Sequence, residues 1–207
     1  MAERYEYTKG RLLESEANPT PSEQFAHWLQ EAIAAQVVEP TAMCLSTVGE
    51  GGRPSSRIVL LRGHDERGFT FFTNYESRKG LEIVEHPFGC LNFWWGSLER
   101  QIRIEGSIEP VSAEESDEYW SSRPYESQVA SAASPQSQLI PDREHLNELI
   151  AQVRGTYADQ VPRPWHWGGY RLKPNYYEFW QGGVSRLHDR LAYRQVAGTW
   201  QMDRLAP

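Results

Sequence analysis

Hydrophobic and polar positions along the first forty residues indicate one amphipathic helix. Thr20 precedes a proline and stands three positions before Glu23, which is typical of a capped helix start. Apolar residues then recur at spacings of three and four until about Val38, and Pro40 follows them. The pattern predicts a helix from Pro21 to about Val38 that buries one face.

After this helix the pattern changes to short β-rich runs separated by glycine-containing turns. The predicted strands are 41–48, 55–62, 69–73, 89–95, 99–108, 169–172, 176–180, 186–194 and 199–203. Further helices are predicted at 77–85, from 112 toward 120, and at 142–157. Because tight turns join most strands and the helices are inserted between them, we expect a mainly β, α+β fold built as an antiparallel barrel.

The chain shows one division, between a polar N-terminal segment and the rest. Residues 1–20 have no sustained period, so we expect an arm or lid that docks on the remainder or stays mobile. No linker or internal repeat interrupts residues 21–207, and a length of 207 residues is compatible with one domain. We therefore expect a single domain over 21–207.

Charge and composition argue against several classes of protein. The 21 Lys and Arg against 28 Asp and Glu give a formal net charge of −7 without a long basic run, so we expect no nucleic-acid partner. The longest aliphatic run, 58–61, is far below the about 20 residues of a membrane span. With no secretory signal visible, we expect a cytoplasmic protein without a membrane partner. Cys44 and Cys90 lie in apolar stretches, which favours reduced, buried thiols and no metal site.

Candidate chemistry begins where a predicted strand ends and a helix starts at Ser77. Arg78 and Lys79 lie in the first helical turn, where backbone amides and the helix dipole favour an anion such as phosphate. A solvated basic pair is the alternative. Arg57 and Arg62 bracket an apolar strand nearby in the chain, and cations at both ends of a core element require partners.

Two further groups of residues have the chemistry to bind anions. Tyr119, Arg123 and Ser127 are four positions apart and would share a helix face if one helix continued through Pro124, although a structural capping role is an alternative. If the segment from residue 186 is extended, its alternate cationic or proton-sharing side chains project to one face. These side chains are Arg186, His188 and Arg190. No hydrolase triad, dinucleotide motif or phosphate loop is visible, so phosphorylated small ligands are the favoured partners.

These motifs together resemble one known family, in order from about Arg4 to Pro207. The matching segments are 77–80, 99–101, 122–128, 136–137, 167–170, 178–182, 186–190 and 203–207. They are similar to the pyridoxine (pyridoxamine) 5′-phosphate oxidases. The resemblance implies an FMN-binding split antiparallel β-barrel, a homodimer with FMN at the subunit interface. It also implies oxidation of pyridoxine or pyridoxamine 5′-phosphate to pyridoxal 5′-phosphate, with O2 reduced to H2O2.

The resemblance also assigns expected roles to individual residues. The expected FMN contacts are Arg57, Ile58, Val59, Leu60, Leu61, Arg62, Phe72, Thr73, Arg78, Lys79, Gln101, Gln136, Ser137, Trp180 and Arg190. The expected substrate contacts are Arg4, Tyr7, Arg62, Tyr119, Arg123, Ser127, Arg186, Leu187 and His188, with Arg186 and His188 as the catalytic pair. Arg62 departs from the family pattern, which typically has lysine there, so the substrate phosphate would meet a longer, forked cation.

Three other functions compete with this interpretation. A related flavin-barrel oxidase of the phenazine-forming type would act on another aromatic substrate, but the phosphate-binding motif of Tyr119, Arg123 and Ser127 argues against a substrate that lacks phosphate. A non-catalytic protein that binds flavin or pyridoxal phosphate would not require Arg186 and His188. A purely structural barrel leaves the arginine clusters unexplained.

Overall fold

The computed structural model describes residues 6–207, which form one antiparallel sheet with five inserted helices. The strands are β1 (Ala42–Val48), β2 (Pro54–Leu60), β3 (Gly63–Asp65), β4 (Gly68–Asn74), β5 (Phe88–Trp95), β6 (Arg100–Pro110), β7 (Trp167–Gln181), β8 (Asp189–Val196) and β9 (Thr199–Arg204). The helices are α1 (Pro21–Ala34), α2 (Arg78–Glu85), α3 (Ala113–Ser122), α4 (Tyr125–Ala133) and α5 (Arg143–Thr156). The predicted mainly β fold with inserted helices is confirmed.

Strand β7 divides the sheet into two branches. The order is β2-β1-β5-β6-β7-β4-β3, and β8 pairs with both β7 and β9. The first part of β7, from Trp167 to Leu172, pairs with β4, and the last part, from Tyr176 to Gln181, pairs with β8. The other edge of β7 pairs with β6 from Tyr170 to Gln181. The sheet therefore opens into a split barrel at the middle of β7.

The middle of β7 also explains a wrong prediction. The runs 169–172 and 176–180 belong to one strand, because Pro174 lies opposite Gly106 at a register shift between β6 and β7. A proline is tolerated inside a strand where such a bulge removes the need for its N–H. A Cβ on Gly106 would lie 1.9 Å from the carbonyl oxygen of Lys173, so only glycine fits this close approach.

Other element boundaries differ from the prediction near turns. Helix α1 ends at Ala34, before Val38, because Gln36 has a left-handed φ of 55°. A short strand, β3, lies in the predicted connection 63–68. The strand predicted from residue 186 begins at Asp189, and α4 is a separate helix. The predicted helix starts near residues 20, 77, 112 and 142 are confirmed, and at each of them a side chain accepts from a first-turn amide.

The main hydrophobic core lies between α1 and the sheet. Phe25 and Trp28 of α1 are buried against Phe93 and Phe179, and the Trp28 and Phe179 rings meet edge to face with centroids 5.4 Å apart. A second, smaller cluster joins α3 and α4 to the start of β7 and includes Trp120. The periodic face predicted for the first helix therefore packs as expected.

The described part of the N-terminal segment docks on the barrel. Leu12 is buried, and its amide donates to the Asp189 carboxylate at 3.0 Å. Arg204 donates to the Leu12 carbonyl at 2.8 Å and forms a salt bridge with Glu14. The segment before α1 is thus held by main-chain and charged contacts to the C-terminal strands.

Three further findings concern the cysteines, metal sites and membrane spans considered above. Cys44 and Cys90 are free thiols and only partly buried. In residues 6–207, no group of three or more His, Cys, Asp or Glu is placed to hold a metal ion. The same part of the chain contains no helix that is both long and apolar enough to span a membrane.

Candidate functional site

A cleft of about 810 Å³ lies between strands β2 and β4 and helices α2 to α5. Its lining residues are Ile58, Val59, Leu60, Arg62, Phe72, Thr73, Asn74, Lys79, Tyr119, Ser122, Arg123, Pro124, Ser127, Ala130, Ser131, Ser134, Gln136, Arg143, Leu146, Ile150 and Trp167. Arg62, Lys79, Arg123 and Arg143 are cationic, and no carboxylate is among these described residues. In a chain of net charge −7, the positive charge of this cleft favours an anionic ligand.

Within the cleft, Lys79 is a buried cation held by neutral groups. Its Nζ donates to Thr73 Oγ1 at 3.0 Å, Ser77 Oγ at 3.0 Å and Gln136 Oε1 at 2.9 Å. Burial, reinforced by the nearby Arg57 guanidinium, lowers the pKa of Lys79 from 10.5 to about 8. A bound anion would therefore relieve an unfavourable charge at this point.

Arg57 and Arg78 lie beside Lys79 but do not line the cleft, because Glu82 holds them. Glu82 is 6% exposed and accepts from Arg57 Nη2 at 3.1 Å and from Arg78 Nε at 2.8 Å. The Thr47 and Ser55 hydroxyls also donate to it. Burial acts to raise the pKa of Glu82, but these four donors outweigh it and lower the pKa to about 2. Glu82 is therefore an anion among three cations.

Tyr119, Arg123 and Ser127 also come together in the cleft lining, though not on one helix as predicted. Helix α3 ends at Ser122 because Pro124 cannot continue it, and α4 starts immediately afterwards. The corner between the two helices turns all three side chains to the cleft. Arg123 Nη2 donates to Ser131 Oγ at 2.8 Å, while its buried Nη1 has no partner among the described residues.

Aromatic rings form the wall behind Arg123. The Phe72 and Tyr119 rings stack with centroids 4.0 Å apart, and the Trp167 ring is nearly parallel to both. The Arg123 guanidinium lies 4.6 Å from the Trp167 ring centroid, and its burial lowers its pKa. Arg62 lies 5.9 Å from the Tyr119 ring centroid. Arg62 and Arg123 therefore lie against the same aromatic stack, and the cleft lining contains no carboxylate to pair with them.

A second cluster surrounds Trp180 at the far end of β7. The Tyr7 ring meets the Trp180 and His188 rings edge-on, with both centroid distances 5.5 Å. His188 Nδ1 accepts from the Gly183 amide at 3.1 Å, which leaves Nε2 as the nitrogen for another partner. Gln101 pairs with Trp180 in the β6–β7 register.

The predicted row of three side chains from Arg186 to Arg190 is wrong. Arg186 has a left-handed φ of 65° in a short helical turn, so the strand starts three residues later. Arg190 is in that strand, where its Nε donates to the buried Glu178 carboxylate at 2.9 Å, which raises the Arg190 pKa. Arg190 therefore has its own counter-ion, whereas Arg186 and Leu187 are exposed in the loop.

The two clusters lie toward opposite ends of β7. Gly169 pairs with Phe72, which lines the cleft, and Trp180 is 11 positions further along β7. At a rise of about 3.3 Å per residue, this separation is up to about 36 Å.

The structure thus sorts the predicted site residues into three groups. The cleft contains Ile58, Val59, Leu60, Arg62, Phe72, Thr73, Lys79, Gln136, Tyr119, Arg123 and Ser127. The far end of β7 and the loop after it contain Tyr7, Gln101, Trp180, Arg186, Leu187, His188 and Arg190. Arg57, Leu61, Arg78 and Ser137 lie outside the cleft lining, with Leu61 buried in the core. Arg4 lies outside the described residues.

Sequence reasoning missed Arg143, Asn74 and Trp167 as cleft residues. Arg143 is the first residue of α5 and follows the capping Asp142, which accepts from the His145 amide at 2.8 Å. A cation in the first turn of a helix is the same signal that pointed to Arg78 and Lys79. That signal was available for Arg143, but nothing local showed that α5 faces the cleft.

The fold and the cleft define a split-barrel protein with a cationic ligand site. Residues 29–157 match the family model described as pyridoxamine 5′-phosphate oxidase, and residues 167–207 match the pyridoxine 5′-phosphate oxidase C-terminal dimerisation region. The chain belongs to the pyridoxamine 5′-phosphate oxidase family.

Individual relatives agree with this assignment. The pyridoxine/pyridoxamine 5′-phosphate oxidase of Herminiimonas arsenicoxydans is 54% identical, over 99% of this chain and 97% of its own length. The protein of the same name from Bordetella pertussis is 55% identical over the same shares. PhzG from Burkholderia lata, solved in complex with tetrahydrophenazine-1-carboxylic acid, has a TM-score of 0.89 and 34% identity, covering 95% of this chain and 98% of its own. A pyridoxamine 5′-phosphate oxidase-related protein from Nostoc punctiforme, with a TM-score of 0.71 and 18% identity, shares the fold; the match covers 92% of this chain and 100% of its own.

Proposed function

We propose that this chain is an FMN-dependent oxidase that converts pyridoxine 5′-phosphate and pyridoxamine 5′-phosphate to pyridoxal 5′-phosphate, with O2 reduced to H2O2. The observation that carries the proposal is the cleft with four cationic side chains and no carboxylate in its described lining. Such a cleft offers charge to two phosphate groups, one at Lys79 and one at Arg123. The relatives named pyridoxine/pyridoxamine 5′-phosphate oxidase support this choice of substrate.

The residues around Lys79 fit the phosphate of FMN. The buried ammonium group is bonded only to neutral acceptors, so it has charge to share with an incoming phosphate. Ile58, Val59 and Leu60 offer an apolar surface next to it for a planar ring system. When bound, the flavin supplies the redox chemistry, accepting a hydride from the substrate and passing electrons to O2.

Arg123, Tyr119 and Ser127 fit the phosphate of the substrate. The unpartnered Nη1 of Arg123, the Tyr119 hydroxyl and the Ser127 hydroxyl are donors that one phosphate can accept. Arg62 adds a second cation and stands where the family typically has lysine. These residues bind and orient the substrate, and the stack of Phe72, Tyr119 and Trp167 holds their backbone in place.

Arg186 and His188 complete the site from a second copy of the chain. Residues 167–207 match a dimerisation region, and the distance along β7 separates these two residues from their own cleft. Exposed apolar side chains at both places, Ile58 at 66% and Leu187 at 72%, would be covered by such a dimer. Arg186 polarises and orients the substrate ring, and His188 bonds its hydroxyl. Tyr7 belongs to the N-terminal lid. We place this homodimer in the cytoplasm.

One alternative function has an observation in its favour. The similarity to PhzG, at a TM-score of 0.89, is compatible with an oxidase of a tricyclic aromatic acid. A substrate without phosphate would leave Arg123 Nη1 buried and unpaired, a cost of about 1–3 kcal/mol, so we favour the phosphorylated substrates. A non-catalytic flavin or pyridoxal-phosphate binding protein would bind ligand without turnover.

An aerobic assay of the protein reconstituted with FMN tests the proposal. Pyridoxine 5′-phosphate, pyridoxamine 5′-phosphate and tetrahydrophenazine-1-carboxylic acid are given separately, and product and H2O2 are followed together. We expect stoichiometric pyridoxal 5′-phosphate and H2O2 from at least one B6 phosphate, and unphosphorylated pyridoxine is the matched control. Turnover of the phenazine precursor alone, or bound flavin without any turnover, would reject the proposal.

A further inference from the structure

Glu99 is a fully buried carboxylate that the proposed chemistry does not use. It is 0% exposed and lies between a short helical turn and β6, with a left-handed φ of 56°. Its Oε1 has no hydrogen-bond partner among the described residues. Burying a carboxylate with one unsatisfied oxygen costs free energy, so a role that repays this cost is expected.

The other carboxylate oxygen of Glu99 holds the N-terminal segment. Oε2 accepts from the Thr8 amide at 2.8 Å and from the Lys9 amide at 2.9 Å. The Lys9 ammonium group adds a bond to the Ser97 carbonyl at 2.8 Å. Main-chain amides bonded to a carboxylate are charge-assisted donors, and two of them on one oxygen fix the backbone at this point.

The same residue also fixes the surface against which Tyr7 packs. The Glu99 carbonyl accepts from the Gly182 amide at 2.8 Å. A Cβ on Gly182 would lie 2.7 Å from Tyr7 Cγ, so the Tyr7 ring lies directly on this glycine. Glu99 therefore binds both the segment that carries Tyr7 and the residue beneath its ring, next to Trp180 and His188.

We propose that Glu99 is a positioning residue for the substrate site: it latches the N-terminal segment so that Tyr7 is held against Trp180 and His188. The inference rests on the proposed function, because it is there that Tyr7 and His188 contact substrate. Release of the segment would expose the Glu99 carboxylate to water. Hydration of the carboxylate would then offset part of the free energy lost with the two amide hydrogen bonds. The latch thus favours the docked segment without making it permanent.

Amide hydrogen exchange of the peptide covering residues 6–12 tests the latch without any need for activity. We expect Glu99→Ala to speed exchange in this peptide by about tenfold or more, and Glu99→Gln to be intermediate because its amide oxygen still accepts. Glu14→Gln is the matched control, since it breaks the Arg204 salt bridge elsewhere on the same segment. Unchanged exchange in Glu99→Ala at Thr8 and Lys9 would overturn the proposal.

Kinetics then separate a positioning role from a general loss of structure. We expect Glu99→Ala and Tyr7→Ala each to lower kcat/KM for the B6 phosphate by about tenfold or more with FMN affinity unchanged, and the double variant to be no worse than the poorer single variant. Gly182→Ala, which displaces Tyr7 directly, should reproduce the defect with Glu99 intact. Additive losses, or a fall in FMN affinity equal to the fall in kcat/KM, would contradict the latch. If the wild type turned over no B6 phosphate, the exchange result alone would decide.

Discussion

Lys79 offers the sharpest test of the cleft, because its charge is buried without a salt bridge among the described residues. We consider Lys79→Met, which keeps the length of the side chain and removes the ammonium group. A charge-assisted bond to phosphate is worth about 1.5–3 kcal/mol, which predicts FMN binding weaker by about 10- to 150-fold. Relief of the buried charge offsets the lost bonds to Thr73, Ser77 and Gln136, so the stability of the flavin-free protein should change little.

The lowered pKa of Lys79 adds a pH dependence with a definite sign. With a pKa of about 8, the ammonium form predominates at neutral pH and is lost as pH rises through that value. Phosphate binds the charged form, so the dissociation constant of FMN should rise by about tenfold between about pH 7 and about pH 9. The neighbouring Glu82 does not titrate in this range, because its pKa is about 2.

Fluorescence titration of FMN into the flavin-free protein across this pH range measures both effects. The wild type should show the loss of affinity, and Lys79→Met should bind weakly with no comparable slope. Gln136→Leu, which removes one of the Lys79 acceptors but no charge, is the control and should retain the slope. A wild-type dissociation constant that is constant with pH, or the same slope in Lys79→Met, would refute the placement of the FMN phosphate.

Three other predictions follow from the described contacts. Arg123→Gln should raise KM for the B6 phosphates by about tenfold or more at unchanged FMN affinity, because the substrate loses a charge-assisted donor; equal losses in steady-state kinetics and flavin titration would contradict this. Arg186→Leu, in an exposed loop, should lower kcat more than it lowers FMN affinity, and the reverse order would remove Arg186 from the catalytic pair. Phe179→Ala, which empties a fully buried position against Trp28 and Tyr193, should reduce the free energy of unfolding by about 3–5 kcal/mol in urea denaturation, and a loss under about 1 kcal/mol would show that this core is loosely packed.

Local signals in the sequence were sufficient for most elements of this fold. The helix starts at Pro21, Arg78 and Ala113 each follow a hydroxyl residue that accepts a first-turn amide, as predicted. Strand β6 alternates between buried and less buried residues, as a strand with one apolar face should. These features depend on residues close together in the chain, and so the mainly β fold could be predicted.

Errors occurred where a distant contact overrides the local pattern. The bulge opposite Pro174 joins two predicted strands into β7, and Pro124 splits the helix that was expected to align Tyr119, Arg123 and Ser127. The corner at Pro124 still turns those three side chains to one cleft. Their spacing of four residues in the sequence does not predict this corner.

The composition of the candidate site was decided by tertiary structure. Gln136 meets Lys79 across 57 positions, and Glu99 meets the Lys9 amide across 90. The pattern of the sequence marks each of these residues as polar, but burial by strands paired over long distances determines which of them become neighbours. The sequence by itself therefore determined most elements and marked cationic residues as candidates for ligand binding, whereas the fold decided which cations share a cleft, because strand pairing brings together residues that local periodicity cannot relate.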